Sequence, residues 1–170
     1  MFIFRMKYPK NVLRALQKAK WKTGYEGRIS RNITSVEVKP GFIKQKYKIQ
    51  PEDIGFGSTV HTGMVASLVD SSTTTVAIFT RQKIAGVTMD LSITNFEPIN
   101  TKTENELTII SEMEFINDKM CHIISKIYSH DEETLFAVGR QTKFMHPGSR
   151  QPLKNVNLDD ENLNVVNIKP

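Results

Sequence analysis

Two places in the stretch HTGMVASLVDSSTTTVAIF, His61 to Phe79, are suited to chemistry. The first is His61-Thr62-Gly63, at the expected start of a long helix. A helix start presents backbone N–H groups without intrahelical partners and a partial positive charge. It can hold an anion or polarise a carbonyl oxygen that becomes anionic during acyl transfer. Glycines at 55, 57 and 63 let a ligand approach the backbone there, although Gly63 has an equally simple reading as relief of packing. The second place is Asp70, a carboxylate inside an apolar helical pattern, followed by five hydroxyl side chains, Ser71 to Thr75. Asp70 follows His61 by nine residues, which is about 900° of rotation and about 13.5 Å of rise. The two therefore lie on opposite faces of one helix. A site that uses both needs a second chain, as an isologous two-fold dimer would supply. A structural reading stands beside this one: DSSTTT resembles the N-cap region of a second helix, because Asp, Ser and Thr compete for backbone N–H groups.

The other reactive side chains suggest less. Cys121 falls in a strand pattern without an evident His or Asn partner and reads as a core thiol. His122, His130 and His146 follow no metal-ligand spacing and read as surface histidines. No metal or cofactor is expected. P-loop, G-x-S-x-G and dinucleotide fingerprints are missing from the sequence.

The elements that must position these residues follow from periodicity. NVLRALQKAK, Asn11 to Lys20, predicts a short amphipathic helix. In Ile43–Ile49 three lysines alternate with Ile43, Gln45, Tyr47 and Ile49, a half-buried strand, and Pro40-Gly41 makes Thr34–Lys39 the preceding hairpin arm. A glycine-containing loop leads into the long helix. Beyond it Val87, Met89, Leu91 and Ile93 alternate with Thr88, Asp90, Ser92 and Thr94, predicting a strand with the first four on one face. Strands are also expected over residues 104–115 and 119–129, split by the turn dipeptide Asn117-Asp118, and over 135–145. This order predicts an α+β domain over residues 1–146, with a long helix and a mostly antiparallel sheet whose last four strands form a meander. Residues 147–170, poor in large apolar residues, read as a mobile tail.

The 170 residues carry a net charge of +5, distributed unevenly. Residues 1–50 hold 13 Lys/Arg against 2 Asp/Glu, a balance of +11, and the remainder balances at −6. A basic front suits nucleic acid, an anionic membrane or a phosphorylated ligand, and also a transit peptide, leaving cytosol and mitochondrion as expected locations. Nucleic acid ranks low as a partner, because few aromatic residues interleave the basic ones. No apolar run approaches the ~20 residues of a membrane helix. MFIF is too short for a signal-peptide core, and the single cysteine fits a reducing compartment.

Three segments, HTGMVASLVD at 61–70, AGVTMDLSITNFEP at 85–98 and AVGRQTKFM at 137–145, together with the N-terminal VLRALQKAK, resemble the hotdog-fold acyl-coenzyme A thioesterases. The likeness is to the branch that holds the phenylacetate-pathway enzymes. It implies a hotdog fold, a long helix wrapped by an antiparallel sheet, in a homodimer that pairs further as a dimer of dimers. It implies hydrolysis of an acyl-coenzyme A thioester, with coenzyme A part of the substrate. On this resemblance Thr62, beside His61 and Gly63, gives its backbone N–H to the thioester oxygen. Asp70 of the facing subunit activates water or attacks directly, and the Thr88 hydroxyl orients the water. Lys119, Arg140 and Lys143 fall where the family meets the nucleotide of coenzyme A. Six residues before the His, where the family carries Asn, this chain has Gly55. A second oxyanion donor must then come from Ser58 or another backbone N–H. The same departure motivates a second reading, a hotdog protein that binds acyl-coenzyme A or a protein partner without catalysis.

Overall fold

The computed structural model describes residues 24–39, 41–79, 84–146 and 148; the helix expected at Asn11–Lys20 lies outside them. The first described element is a helix that periodicity did not anticipate, α1 (Gly24–Arg31), GYEGRISR. With two glycines its intrinsic propensity is poor. Packing supplies the stability: Ile29 is buried, and Tyr25 hydrogen-bonds Ser67 at 2.5 Å on the long helix.

Strands β1 (Ile33–Lys39) and β2 (Phe42–Lys48) form the expected hairpin. Ile43, Gln45 and Tyr47 are buried on one face of β2, with Lys44, Lys46 and Lys48 on the other. After the long helix α2 (Thr62–Ile78) come β3 (Val87–Asn95), β4 (Glu106–Ile116), β5 (Met120–Ser129) and β6 (Leu135–Phe144). The β4–β5 turn is held by Asn117, whose Oδ1 accepts from the N–H groups of Lys119 and Met120 at 2.9 and 2.8 Å.

All neighbours in the six-stranded sheet are antiparallel, in the order β1-β2-β4-β5-β6-β3. This corrects the expected four-strand meander. Only β4, β5 and β6 run as one; β2 takes the place beside β4, and β3 lies at the far edge against β6.

Helix α2 is continuous from Thr62 to Ile78, so Asp70 does not cap a second helix. Its two ends feed two apolar clusters. Met64, Val65, Leu68 and Val69 pack with Tyr47, Leu107, Ile109 and Ile127, while Val76 to Phe79 pack with Val38, Ile43, Ile123 and Met145. The hydroxyl run spans the interval between them. Ser72 Oγ meets Ser111 Oγ at 2.7 Å, and Ser111 donates to Ser125 at 2.8 Å, so three fully buried serines satisfy one another between helix and sheet.

The edge strand β3 departs from its sequence pattern. Its pairing with β6 shifts register between Thr88 and Asp90, so Thr88 faces Lys143 while Asp90 faces Thr142. Met89 is thus the extra residue of a β-bulge, and a one-residue slip changes which side chains face the core. Leu91 and Ile93 pack inward as expected, but Val87 and Met89, at 53% and 66% exposure, do not. Thr88 takes the inward position instead.

Helix and sheet meet most closely at Gly139 of β6, where an added Cβ would lie 2.5 Å from Val69 Cγ1. Gly139→Ala is therefore expected to destabilise the fold by about 1–3 kcal/mol, as overpacked cores do. Urea unfolding checks this, and Val69→Ala in the same chain should recover part of the loss.

Candidate functional site

At the start of α2 the chain is locked by Asp53, a buried carboxylate that spacing did not single out. Its Oδ2 accepts from the Tyr47 hydroxyl at 2.6 Å and from Gln50 N–H at 2.8 Å, and Arg28 of α1 stands 3.7 Å from its Oδ1. Burial, and then the bond to Asp53, push the Tyr47 phenol far above its ordinary value, so it remains a donor. The Asp53 carbonyl accepts from His61 N–H at 2.8 Å. One residue thus ties β2, α1 and the loop to the first position of the helix.

His61 is the N-cap, and its Nδ1 accepts from Gly63 N–H at 2.9 Å. A Cβ at residue 63 would sit 2.9 Å from that nitrogen, so the cap needs glycine there. The same bond occupies the Gly63 N–H. Gly55 N–H is also occupied, by the Thr59 carbonyl at 2.7 Å. Thr62 N–H has no hydrogen-bond partner among the described residues. Ser58 lies close by in sequence with φ of 62°, in the left-handed region that a non-glycine residue enters rarely. Its carbonyl accepts from Thr101 N–H and hydroxyl at 2.9 and 2.8 Å, while its own hydroxyl has no partner among the described residues.

Around Asp70 a second, separate constellation gathers. The Thr88 hydroxyl donates to Asp70 Oδ1 at 3.1 Å, the Gln141 amide N–H₂ donates to the same oxygen, and Lys143 Nζ stands 3.9 Å from it. Gln141 and Lys143 also donate to Thr88 Oγ1, at 3.0 and 3.2 Å. Asp70 has a side chain 46% exposed, whereas that of Lys143 is 3% exposed. A cleft of about 600 Å³ opens beside the carboxylate, lined by Asp70, Ser71 and Thr74 of α2, Thr88 and Leu91 of β3, and Tyr25 of α1. Thr62 opens instead into a second hollow of about 330 Å³, with Val65, Asn95 and Phe96. Within one chain the helix start and the carboxylate face different spaces.

Lys143 therefore has a different place from the nucleotide-facing one expected of it. Inward alternation on β6 puts it, with Gly139 and Gln141, under the helix. Burial lowers its ammonium's ordinary affinity for the proton, and Asp70 and then Cys121 work against that. Lys119, in the β4–β5 turn, and Arg140, on the outer face of β6, are exposed and lie in neither constellation. Cys121 is a buried thiol, raised by burial. Among the described residues no group of three His, Cys, Asp or Glu could hold a metal ion, and no helix is long and apolar enough to cross a membrane. Gln141 was missed, although a signal existed: it is an uncharged polar residue at an inward strand position between Gly139 and Lys143.

No protein-family model matches the chain. It is 26% identical over 136 residues to human acyl-coenzyme A thioesterase 13, a match that covers 80% of this chain and 93% of that one. Among solved structures it is similar to zebrafish thioesterase superfamily member 2, with a TM-score of 0.73 at 20% identity over 82% of this chain and 99% of that one. It is also similar to a hypothetical thioesterase from Streptococcus pneumoniae crystallised with coenzyme A, with a TM-score of 0.63 at 20% identity over 71% and 89% of the two chains. The fold is the hotdog fold, and the resemblance read from three sequence segments is to the proteins that the comparisons return.

The buried ammonium makes a thermodynamic claim. The unfolded chain binds the Lys143 proton more tightly than the folded one, so this residue's contribution to stability rises with pH between its lowered value and that of ordinary lysine. Lys143→Met removes the term. Thermal melts of the variant, compared with those of the parent, should be relatively most favourable near pH 7 and lose that advantage as pH approaches 10.

Proposed function

We propose that this protein hydrolyses an acyl-coenzyme A thioester to the free acid and coenzyme A, in a site shared by two subunits of a homodimer. The observation that carries the reading is the division of the site. A Thr62 N–H without a partner among the described residues and a lysine-backed Asp70 lie on one helix yet open into different hollows, as two halves of one acyl-transfer site would. The curated relative's name and the coenzyme A in the Streptococcus structure support the substrate class.

In the complete site Thr62 N–H of one subunit, with the Ser58 hydroxyl as second donor, receives the thioester oxygen as it gains charge. Asp70 of the other subunit takes a proton from water as the C–O bond forms, or attacks the carbonyl carbon itself to give a mixed anhydride that water then cleaves to the free acid, restoring the carboxylate. In either route the C–S bond breaks, and the leaving thiolate ends as the thiol of coenzyme A. Lys143 and Thr88 stand against the carboxylate that both routes use. The exposed edge of β3, with Val87 and Met89 outward and a neighbour on one side only, supports pairing with a second copy. Pairing of dimers into a tetramer, contacts of Lys119 and Arg140 with the nucleotide phosphates, and a place in cytosol or mitochondrion belong to the same reading.

Asp70→Ala should abolish thiol release from a panel of acyl-coenzyme A substrates while leaving circular dichroism unchanged. Full turnover in that variant would sink the mechanism, and binding without thiol release by the parent chain would favour a non-catalytic acyl-coenzyme A binder. Thr62→Pro, with Thr62→Ala as the control for the lost hydroxyl, tests the other half, because proline at the first helical position keeps the helix and removes the N–H. Asp70→Ala and Thr62→Pro should each be inactive alone. Co-refolded together they should regain activity, since one site of every mixed dimer is intact.

A further inference from the structure

We infer that Gln141 is a positioning residue that assigns different tasks to the two oxygens of Asp70, Oδ1 as the anchored atom and Oδ2 as the reacting one. The inference rests on the reading of Asp70 as the group that does the chemistry. Two donors, Thr88 and Gln141, hydrogen-bond Oδ1, and the Lys143 ammonium pairs with the same oxygen from 3.9 Å. Oδ2 receives no hydrogen bond among the described residues, although Asp70 lines the cleft. A carboxylate on a helix surface rotates about its Cβ–Cγ bond and exchanges its oxygens; donors gathered on one oxygen prevent this.

Gln141 is the member of the trio whose orientation is itself set by α2. It is 1% exposed. Its Oε1 accepts from the hydroxyl of Thr73, one helical turn beyond Asp70, and its N–H₂ faces Asp70 and Thr88. The reversed amide would place Oε1 against the carboxylate, acceptor facing acceptor, so the charge of Asp70 selects the orientation seen. The Thr73 hydroxyl has one proton and three acceptors within reach, the carbonyls of Val69 and Asp70 at 2.8 and 3.1 Å and Gln141 Oε1. Donation to Oε1 closes a ring that runs from Asp70 along the helix to Thr73, across to Gln141 and back to Asp70. Among the described residues, the charged and titratable groups around this ring are Lys143 on β6, Cys121 on β5 beside it, and Tyr25 and Glu26 of α1 along the cleft. None of them replaces the amide donor, and the ring holds Oδ2 toward the substrate before it arrives, which is where positioning gains rate.

The test uses the full chain with three substitutions, Gln141→Met, Gln141→Glu and Thr73→Val, each checked for folding by circular dichroism. Gln141→Met keeps the length and removes the donor; kcat should fall about 10–100-fold with KM within about twofold. Thr73→Val frees the amide without removing it and should lower kcat by a smaller factor. The carboxyl introduced by Gln141→Glu donates to Oδ1 only while protonated, so activity relative to wild type should climb as pH falls. Gln141→Met should show no such climb. Full kcat in Gln141→Met, or parallel pH profiles for the two position-141 variants, would overturn the inference. If the wild-type protein releases no thiol from any substrate, the functional reading fails, and crystal structures of wild type and Gln141→Met still decide this point. A carboxylate that turns in the variant supports positioning, and one that stays in place overturns it.

Discussion

A carboxylate that borders a packed core must be given donors, and much of this structure is arranged to supply them. Asp70 sits midway along α2, where a fully apolar helix would pack more simply. Its presence calls for a buried lysine below, an amide beside it and a hydroxyl from an edge strand. Those partners in turn need Thr73 on the helix and an inward polar run on β6. The cost of burying Lys143 is accepted because its charge is matched on the spot, and the match leaves one carboxylate oxygen unoccupied beside a cleft. What looks like a weak helix is a polar seam between two apolar clusters, with the serine chain Ser72–Ser111–Ser125 continuing it across the sheet.

The opposite end of the helix follows another logic. There the backbone, and not a side chain, is the reagent. Asp53 fixes the loop through Tyr47, Gln50 and the His61 N–H, and His61 then takes up the Gly63 N–H for itself. Among the described residues these bonds leave the Thr62 N–H without a partner. The residue type at 62 is thereby relaxed to anything but proline, while the glycine at 63 is required by the imidazole that lies against it.

Much of this was legible before any coordinates. Nine-residue spacing put His61 and Asp70 on opposite faces, and the two hollows now agree. Alternation found the buried face of β2 and the ends of β4, β5 and β6 within a residue or two. Three features resisted for physical reasons. Helix α1 has little propensity and exists by packing on α2. The place of β3 is a tertiary choice, since no local pattern states whether a strand joins β4 or crosses to β6. Lys143 looked like a surface cation because its charge outweighs its strand position; Gln141, two residues earlier on the same face, shows that the position was the better guide. The roles that family likeness lends to Lys119 and Arg140 have no counterpart in the geometry of one chain.

The bulge at Met89 sets what β3 brings to the site. Its sequence, VTMDLSITN, carries an unbroken alternation, yet the strand is read in two phases, one from Leu91 onward and another before Met89. The bulge works as a frame shift in three dimensions. Paired regularly at the same length, the strand would make a more complete ladder, yet Met89 would turn to the inner face and the Thr88 hydroxyl would turn out of the site. The extra residue thus decides which side chain reaches Asp70, and an irregularity in the ladder is what brings a hydroxyl there in place of a thioether.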